Sequence, residues 1–430
     1  MPDAPTTQAP ASTNVEAYRA VRATTEALCR DLSPEDCVVQ TAEQVSPAKW
    51  HLAHTSWFFE RFLLAELVPG YEPVCAMYDY LFNSYYNGAG PQHCRPRRGL
   101  ISRPTLDEVH TYRRIIDERM AQLIDDCPGE HRATLDERLV LGLNHEQQHQ
   151  ELIVTDIKHV FSSNPLLPAY CAAPPVTPGR TPTQGWVELA GGVHEIGHAG
   201  AGFAYDNESP RHRVYLEPFA LATRPVTNGE YLAFIDDGGY ERHELWLSLG
   251  WATVQGQAWR MPIYWYRDGR RWMHYTLAGP CQIDEAEPVA HLSHFEADAY
   301  ARWAGARLPS EAEWEVACRA QPVQGNLLAA GRFHPAPLRA DEGGAALHRC
   351  FGDVWEWTRS SYGAYPGYRA AAGTLGEYNG KFMCNQYVLR GGSCATPAGH
   401  VRSTYRNFFE PEARWQFAGL RLARDAQGRA

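Results

Sequence analysis

No Cys-x-x-Cys pair occurs among the 11 scattered cysteines of this chain. That absence excludes a zinc ribbon, and the odd count fits reduced thiols better than a disulfide framework. No apolar run approaches the roughly 18 residues needed to span a bilayer, and Met1 to Val15 lacks the basic-then-apolar layout of a secretory leader. An excess of positive charge is missing too: the formal net charge is −10, so neither nucleic acid nor an anionic membrane is expected as the main partner. The expected compartment is the cytoplasm and the expected partners are small molecules; the oligomeric state is left open.

What is present is length and aromatic content. A chain of 430 residues is long for one core, which predicts two domains. After a disordered N-terminus over 1–13, residues 14–163 read as a helical bundle, 164–185 as a linker and 186–425 as a domain of short strands and long loops. Asn14 to Leu32 carries an amphipathic pattern with Ala17, Val21, Thr24, Leu28 and Leu32 on one stripe. Ser46-Pro47 reads as an N-cap followed by proline at the first helical position, opening a helix to about Leu67 with Trp50, His54, Phe58 and Phe62 facing a core. Thr105-Leu-Asp-Glu108 and Thr134-Leu-Asp-Glu137 read as capping boxes for two more helices, the second running to about Val160. Four helices of this length suit one bundle. Between the second and third lies an aromatic loop containing Tyr85 and Tyr86, then the basic run Arg95, Arg97, Arg98 and Arg103. Six prolines between Asn164 and Gln184 mark the linker, and beyond it the best helices are Ser293 to Gly305 and Pro309 to Ala317.

The chemistry concentrates in His145-Glu-Gln-Gln-His149. Histidines four residues apart on a helix project from one face and can share a metal ion. The same string matches the zinc-protease signature, in which the glutamate is the general base. That reading needs a third ligand downstream. The metzincin positions are occupied here by Leu152 and Thr155, and no glutamate occurs between Glu151 and Glu188. Glu146 then reads as a helix-surface residue or a residue behind the ligands. The better third ligand is His54, inward-facing on a neighbouring helix; His51, one turn earlier, competes with it. Three imidazoles without a carboxylate leave a dication uncompensated with open positions, which suits recruitment of an anionic ligand together with O₂. A three-histidine zinc hydrolase is the other chemistry open to such a set.

His51-Leu-Ala-His54, Leu81-Phe-Asn-Ser-Tyr-Tyr86 and His145-Glu-Gln-Gln-His149 together resemble the DinB-like iron-binding domain of the sulfoxide synthases (EgtB) of ergothioneine biosynthesis. The second half resembles that family's formylglycine-generating-enzyme-like, C-type-lectin-related domain. The matching blocks are Trp186-Val-Glu-Leu-Ala-Gly-Gly192, Pro225-Val-Thr-Asn-Gly-Glu-Tyr231, Ala306-Arg-Leu-Pro-Ser-Glu-Ala-Glu-Trp314, Gly352-Asp-Val-Trp-Glu-Trp-Thr358, Leu389-Arg-Gly-Gly-Ser393 and Gly419-Leu-Arg-Leu422. The implied fold is a four-helix DinB-like bundle followed by an α+β domain. The implied activity is Fe(II)- and O₂-dependent joining of a sulfur to the imidazole carbon of hercynine (Nα-trimethylhistidine), with His54, His145 and His149 as metal ligands.

The resemblance also assigns Tyr85 or Tyr86 the delivery of a proton or hydrogen atom, a role that suits a phenol. It assigns Gln148 to the substrate imidazole and Asn407 to the trimethylammonium group, with Phe408 and Phe409 as possible cation-π walls. Arg95 and Arg98 are candidates for the donor's acidic groups. The actinobacterial pattern Arg-Asn-Trp-Asp has an aspartate that helps to bind γ-glutamylcysteine; here the segment reads Arg406-Asn-Phe-Phe409. Its loss favours cysteine or another chalcogen donor, including the selenosugar used by the related selenoneine synthases. Cys394 has no later cysteine to pair with, so the second domain is expected to act as a scaffold rather than as a thiol-copper centre.

Overall fold

The computed structural model describes residues 15–174, 179–342 and 345–426. The N-terminal stretch expected to be disordered and residues 175–178 of the linker lie outside them. Two compact units are present. Of the described residues, the first comprises 15–157 with 199–204 and 371–378; the second comprises those within 158–198, 205–370 and 379–426.

The first unit is built on α1 (Val15–Cys29), α2 (Ala48–Phe59), the short α3 (Tyr78–Phe82), α4 (Leu106–Asp126) and α5 (Gly129–Ser162), whose last turn belongs to the second unit. The α2 helix continues through a π-turn at Glu60–Leu64 and a last turn at Ala65–Leu67. The π-turn carries the buried Glu60, whose carboxylate accepts hydrogen bonds from Tyr71, from the Val74 amide and, at 2.5 Å, from Tyr112 on α4. All twelve residues of α2 are buried, so it is the central helix and not a half-exposed one.

Two predicted helix starts are corrected. Thr105 forms the capping box with Glu108, but Thr134 lies inside α5, which begins five residues earlier at Gly129. A Thr-x-x-Glu string caps only where the chain arrives in extended conformation, and here the preceding turn is already helical. At α2 the cap position falls on Pro47, without a side-chain cap; the Ser46 hydroxyl instead accepts from Arg98 Nη1 at 3.0 Å. The stripe of α1 is rotated as well. Thr24 is exposed, and the buried face runs through Tyr18, Arg22, Thr25, Leu28 and Cys29.

Arg22 is buried because it is paired. Its Nη1 donates to Glu146 Oε2 at 2.9 Å, its Nη2 to Ser56 Oγ at 2.7 Å and its Nε to Asp117 at 2.6 Å. Arg113 donates from Nη2 to Glu146 Oε1 at 3.2 Å and from Nη1 to Thr55 Oγ1 at 2.9 Å. Each of the four long helices contributes to this network, and it determines the rotation of α5. Close approach does the rest. A Cβ on Gly142 would lie 2.5 Å from the Phe59 ring, so only glycine lets α5 approach α2 this closely.

The second unit is α+β. Its sheets have the orders β1-β4-β12, β10-β9-β8-β11, β2-β3 and β5-β6-β7. The strands are β1 (Trp186–Leu189), β2 (Gly192–Ile196), β3 (His212–Leu216), β4 (Phe219–Ala222), β5 (Trp265–Asp268), β6 (Arg271–Thr276), β7 (Gly279–Gln282), β8 (Trp355–Ser361), β9 (Tyr387–Arg390), β10 (Asn407–Phe409), β11 (Ala418–Gly419) and β12 (Ala423–Asp425). Pairing is antiparallel except for β11 against β8. Four helices join them: α6 (Asn228–Asp236), α7 (Ser248–Gly256), α8 (His294–Trp303) and α9 (Glu311–Cys318). Ser293 and Ser310 cap α8 and α9 through complete capping boxes. Trp314 on α9 anchors one core with Phe219, Phe351 and Cys350, and its indole donates to the buried Glu356 at 2.7 Å. Arg421 binds that carboxylate through Nε and Nη2. At Gly391 φ is +97° and a Cβ would stand 2.6 Å from the Cys350 carbonyl, which explains a glycine in Leu389-Arg-Gly-Gly-Ser393.

Burial raises the Glu146 pKa, but the Arg22 and Arg113 charges outweigh it and lower it to about 2. A depressed carboxylate stabilises the fold above its unfolded value of about 4.3. That contribution is lost as pH falls through about 2. Replacing Glu146 by Ala leaves two buried guanidinium groups without their shared counter-charge and is expected to cost about 3–5 kcal/mol. Thermal unfolding at pH 7 measures the loss; an acid titration should show the difference between variant and wild type shrinking as pH falls from about 4 towards 2.

Candidate metal centre

His54 on α2 and His145 and His149 on α5 meet inside the first unit, and one ring nitrogen from each lies within 4.8 Å of the others. His54 and His145 are 0 % and 1 % exposed and His149 is 8 % exposed. Burial lowers the pKa of all three, that of His145 to about 3, so each imidazole is neutral at pH 7 and offers a lone pair.

The hydrogen bonds assign where those lone pairs lie. His54 Nδ1 is 2.6 Å from the Phe82 carbonyl and must donate to it, leaving Nε2 as the acceptor nitrogen. His51 Nε2 donates to Asp156 Oδ2 at 3.0 Å, and the same oxygen accepts from the Ser46 amide at 2.8 Å. With that proton committed, His51 Nδ1 accepts from His149 Nδ1 at 2.8 Å, and His149 Nε2 is left bare. His51 is therefore the partner behind His149, an arrangement of carboxylate, imidazole and ligand that fixes tautomer and ring orientation. His145 Nε2 stands 3.2 Å from His54 Nε2, while His145 Nδ1 is buried with no hydrogen-bond partner. Two basic nitrogens facing each other at that distance in a dry core are unfavourable unless a cation or a proton lies between them. The donor set fits a divalent transition metal.

Aromatic rings fix the cluster from behind. Trp50 stacks on His54 with centroids 4.5 Å apart, and the Arg98 guanidinium lies 3.4 Å from the centre of the Trp50 ring. Arg98 is buried; it donates to the Ser46 and Ser84 hydroxyls, and its Nε has no partner. Arg95 lies at the surface and donates to the Gln44 carbonyl. Gln148 is half-buried on α5.

Tyr85 and Tyr86 occupy a turn tied by Asn83, whose side chain bonds the Tyr86 amide and carbonyl and the Gly90 carbonyl. Tyr86 is 1 % exposed and packs against Trp57, Phe58 and Phe62, and burial pushes its phenol up. Tyr85 is half-buried, 4.7 Å from the Tyr86 ring and 5.8 Å from that of Tyr378. Tyr378, which no motif singled out, is a phenol in ring contact with a cluster histidine, 6.0 Å from His145. Its segment is tied to the aromatic loop by Glu377, which accepts from the Asn87 and Gly88 amides, and a Cβ on Gly88 would stand 2.5 Å from Thr374 Oγ1. No local motif marks this tyrosine; only the contact does.

Glu146 is neither a surface residue nor a base beside the cluster, since both its oxygens are bound by Arg22 and Arg113. In the second unit, Asn407 Oδ1 accepts from the Phe408 amide, Phe408 stacks on Tyr362 at 4.0 Å, and Phe409 meets Trp415 edge-on at 5.3 Å. Trp355, Trp357 and Trp415 are buried, as is Cys394.

The DinB superfamily matches residues 17–153, and the sulfatase-modifying factor enzyme 1-like domain matches 173–339 and 329–426. Over 410 residues the chain is 35 % identical to a hercynine oxygenase of Mycolicibacterium thermoresistibile, covering 89 % of this chain and 88 % of that protein. A hercynine oxygenase of Mycobacterium tuberculosis is 33 % identical over 92 % of this chain and 95 % of its own length. The strand-rich half is also similar to the formylglycine-generating enzyme of Streptomyces coelicolor, 30 % identical over 60 % of this chain and 95 % of that enzyme.

Removing one of the three histidines should abolish tight metal binding without unfolding the bundle. His145→Ala is expected to lose at least about 100-fold in Fe(II) affinity. His51→Phe, which removes the bonds to His149 and to Asp156 while keeping all three histidines of the cluster, should lose about 10–100-fold. Anaerobic Fe(II) titration with a chromophoric competitor measures both.

Proposed function

The chain belongs to the hercynine oxygenase family, and from that premise we propose that it is an O₂-dependent enzyme joining a chalcogen to the imidazole ring carbon of hercynine, with Fe(II) held by His54, His145 and His149. The observation that carries this reading is the all-imidazole cluster, three neutral nitrogen donors within 4.8 Å with no carboxylate among them. Such a set leaves the charge of a divalent ion unbalanced, so a thiolate or selenolate is favoured as an added ligand. When bound, the iron supplies redox chemistry and a common template for donor, hercynine and O₂.

The protein's own share is positioning and proton supply. His51 and Asp156 hold the His149 ring, and Trp50 holds the His54 ring. We assign proton delivery to a phenol of the Tyr85, Tyr86 and Tyr378 group, with Tyr378 first because it touches His145 while Tyr86 is committed to the aromatic core. Gln148 is proposed to orient the substrate imidazole, Asn407 with Phe408 and Phe409 to receive its trimethylammonium end, and Arg95 and Arg98 to meet the donor's acidic groups. The Phe408-Phe409 pair offers no carboxylate to an ammonium group, which favours cysteine or a selenosugar over γ-glutamylcysteine as the donor. The zinc-hydrolase alternative loses the base its motif would supply: Glu146, the only carboxylate in His145-Glu-Gln-Gln-His149, is spent on two arginines.

Anaerobic loading with Fe(II), followed by hercynine, O₂ and, in separate tubes, cysteine, γ-glutamylcysteine or a selenosugar, tests the proposal by product mass. A hercynine adduct with cysteine or the selenosugar is expected; hercynine recovered unchanged in every tube would sink the reading. Replacing Tyr378 by Phe should lower the rate of adduct formation about 100-fold or more with iron content unchanged. Full activity in that variant and a loss in Tyr85→Phe would transfer the role to Tyr85.

A further inference from the structure

A second cluster of metal-ligand side chains lies in the strand-rich unit. His274 on β6, Glu287 and His334 offer ligand atoms that lie within 4.8 Å of one another, and all three line a cavity of about 240 Å³. We propose that this cluster is a second metal site, taking a divalent first-row ion such as Zn²⁺ through His274, His334 and Glu287, with cavity solvent completing its shell.

Two imidazoles and one carboxylate form a nitrogen and oxygen donor set suited to such ions, and the single carboxylate offsets part of the dication's charge. The geometry is not that of a packing pair. The two imidazoles cross at 80° with centroids 5.0 Å apart, and His334 Nε2 is 3.0 Å from Glu287 Oε2. His334 Nδ1 is buried without a hydrogen-bond partner, so this ring has a nitrogen that the protein leaves unsatisfied. His274 is rigidly held, since it pairs with Trp265 on β5 and with Cys281 on β7 in the middle of a three-stranded sheet. Cys281 lines the same cavity, with its thiol 3.4 Å from the Thr276 hydroxyl.

Two cations oppose binding, and neither occupies the site. Arg332 approaches Glu287 Oε1 only to 3.7 Å, which leaves Oε2, the oxygen facing His334, for a metal. Lys158 is hydrogen-bonded to His291 Nε2 at 2.7 Å. The cluster shares no residue with the three-histidine centre, so either site can be removed alone.

The test is metal stoichiometry of the full-length protein, stripped with chelator and dialysed against Zn²⁺ or Co²⁺. Wild type is expected to hold two equivalents, His145→Ala one, Glu287→Gln one, and the double variant none. The glutamine keeps the shape and an acceptor for His334, so circular dichroism and melting should match wild type while the metal is lost. In the His145→Ala background, the visible Co²⁺ bands report the second site alone and should vanish in the double variant. A wild type that holds one equivalent and loses it in His145→Ala, or a second equivalent and a Co²⁺ spectrum that survive both Glu287→Gln and His274→Gln, overturns the proposal. Either result leaves the reading of the three-histidine centre untouched, because that centre is lost through His145→Ala.

Discussion

One buried carboxylate sets the geometry of the helical unit. Glu146 is fully enclosed, and the arginines that neutralise it come from two other helices, while hydroxyls of a third complete the guanidinium bonding. Charges this deep are tolerable only when each finds its partners. A rotation of α5 by a fraction of a turn would separate Glu146 from both arginines, so the network favours one rotational setting. Its neighbours in sequence inherit that setting. His145 and His149 face His54 because Glu146, about 100° further round the helix from His145, faces Arg22 and Arg113.

The same logic explains why a motif that reads as a protease signature does not provide a base. A catalytic carboxylate must have a lone pair free near the reacting atoms. Glu146 has both oxygens engaged and a pKa held at about 2, so it is a poor proton acceptor at neutral pH. The second carboxylate of importance, Asp156, acts two steps from the cluster by fixing the proton on His51 and, through it, the proton on His149. The cluster thus takes its orientation from carboxylates without including one, which leaves its donor atoms neutral.

Much of this was legible in the sequence, and the failures have physical causes. Spacing put His145 and His149 on one face, and the aromatic stripe turned His54 inward, since periodicity reports direction directly. Periodicity misplaced the buried face of α1 because Arg22 counts as polar in any pattern, while its partners Glu146 and Asp117 are distant in sequence. The second capping box failed because Thr134 lies in a helix that had already begun. His51 read as a competing ligand because sequence cannot show that Asp156, 105 residues later, holds its other nitrogen. The blocks around Trp314, Trp355 and Arg390 were legible only through the family resemblance; that their residues are buried, and that a Cβ on Gly391 would stand 2.6 Å from the Cys350 carbonyl, depends on contacts between distant segments.

Tyr378 marks the limit of such reading, and it bears on how the centre is assembled. It follows the Gly373–Glu377 turn in the strand-rich half of the chain, yet it belongs to the helical unit. The docking is made by backbone amides on one side and a carboxylate on the other: Glu377 accepts from Asn87 and Gly88, beside a glycine with no room for a Cβ. Amide donors carry no sequence identity, so nothing in Asn87-Gly-Ala89 announces a partner 290 residues away. The constraint is nevertheless strict, because shifting Glu377 by one residue would carry Tyr378 away from His145 and from Tyr85. The segment that brings Tyr378 to His145 is thus distinct in sequence from the helices that carry the three histidines.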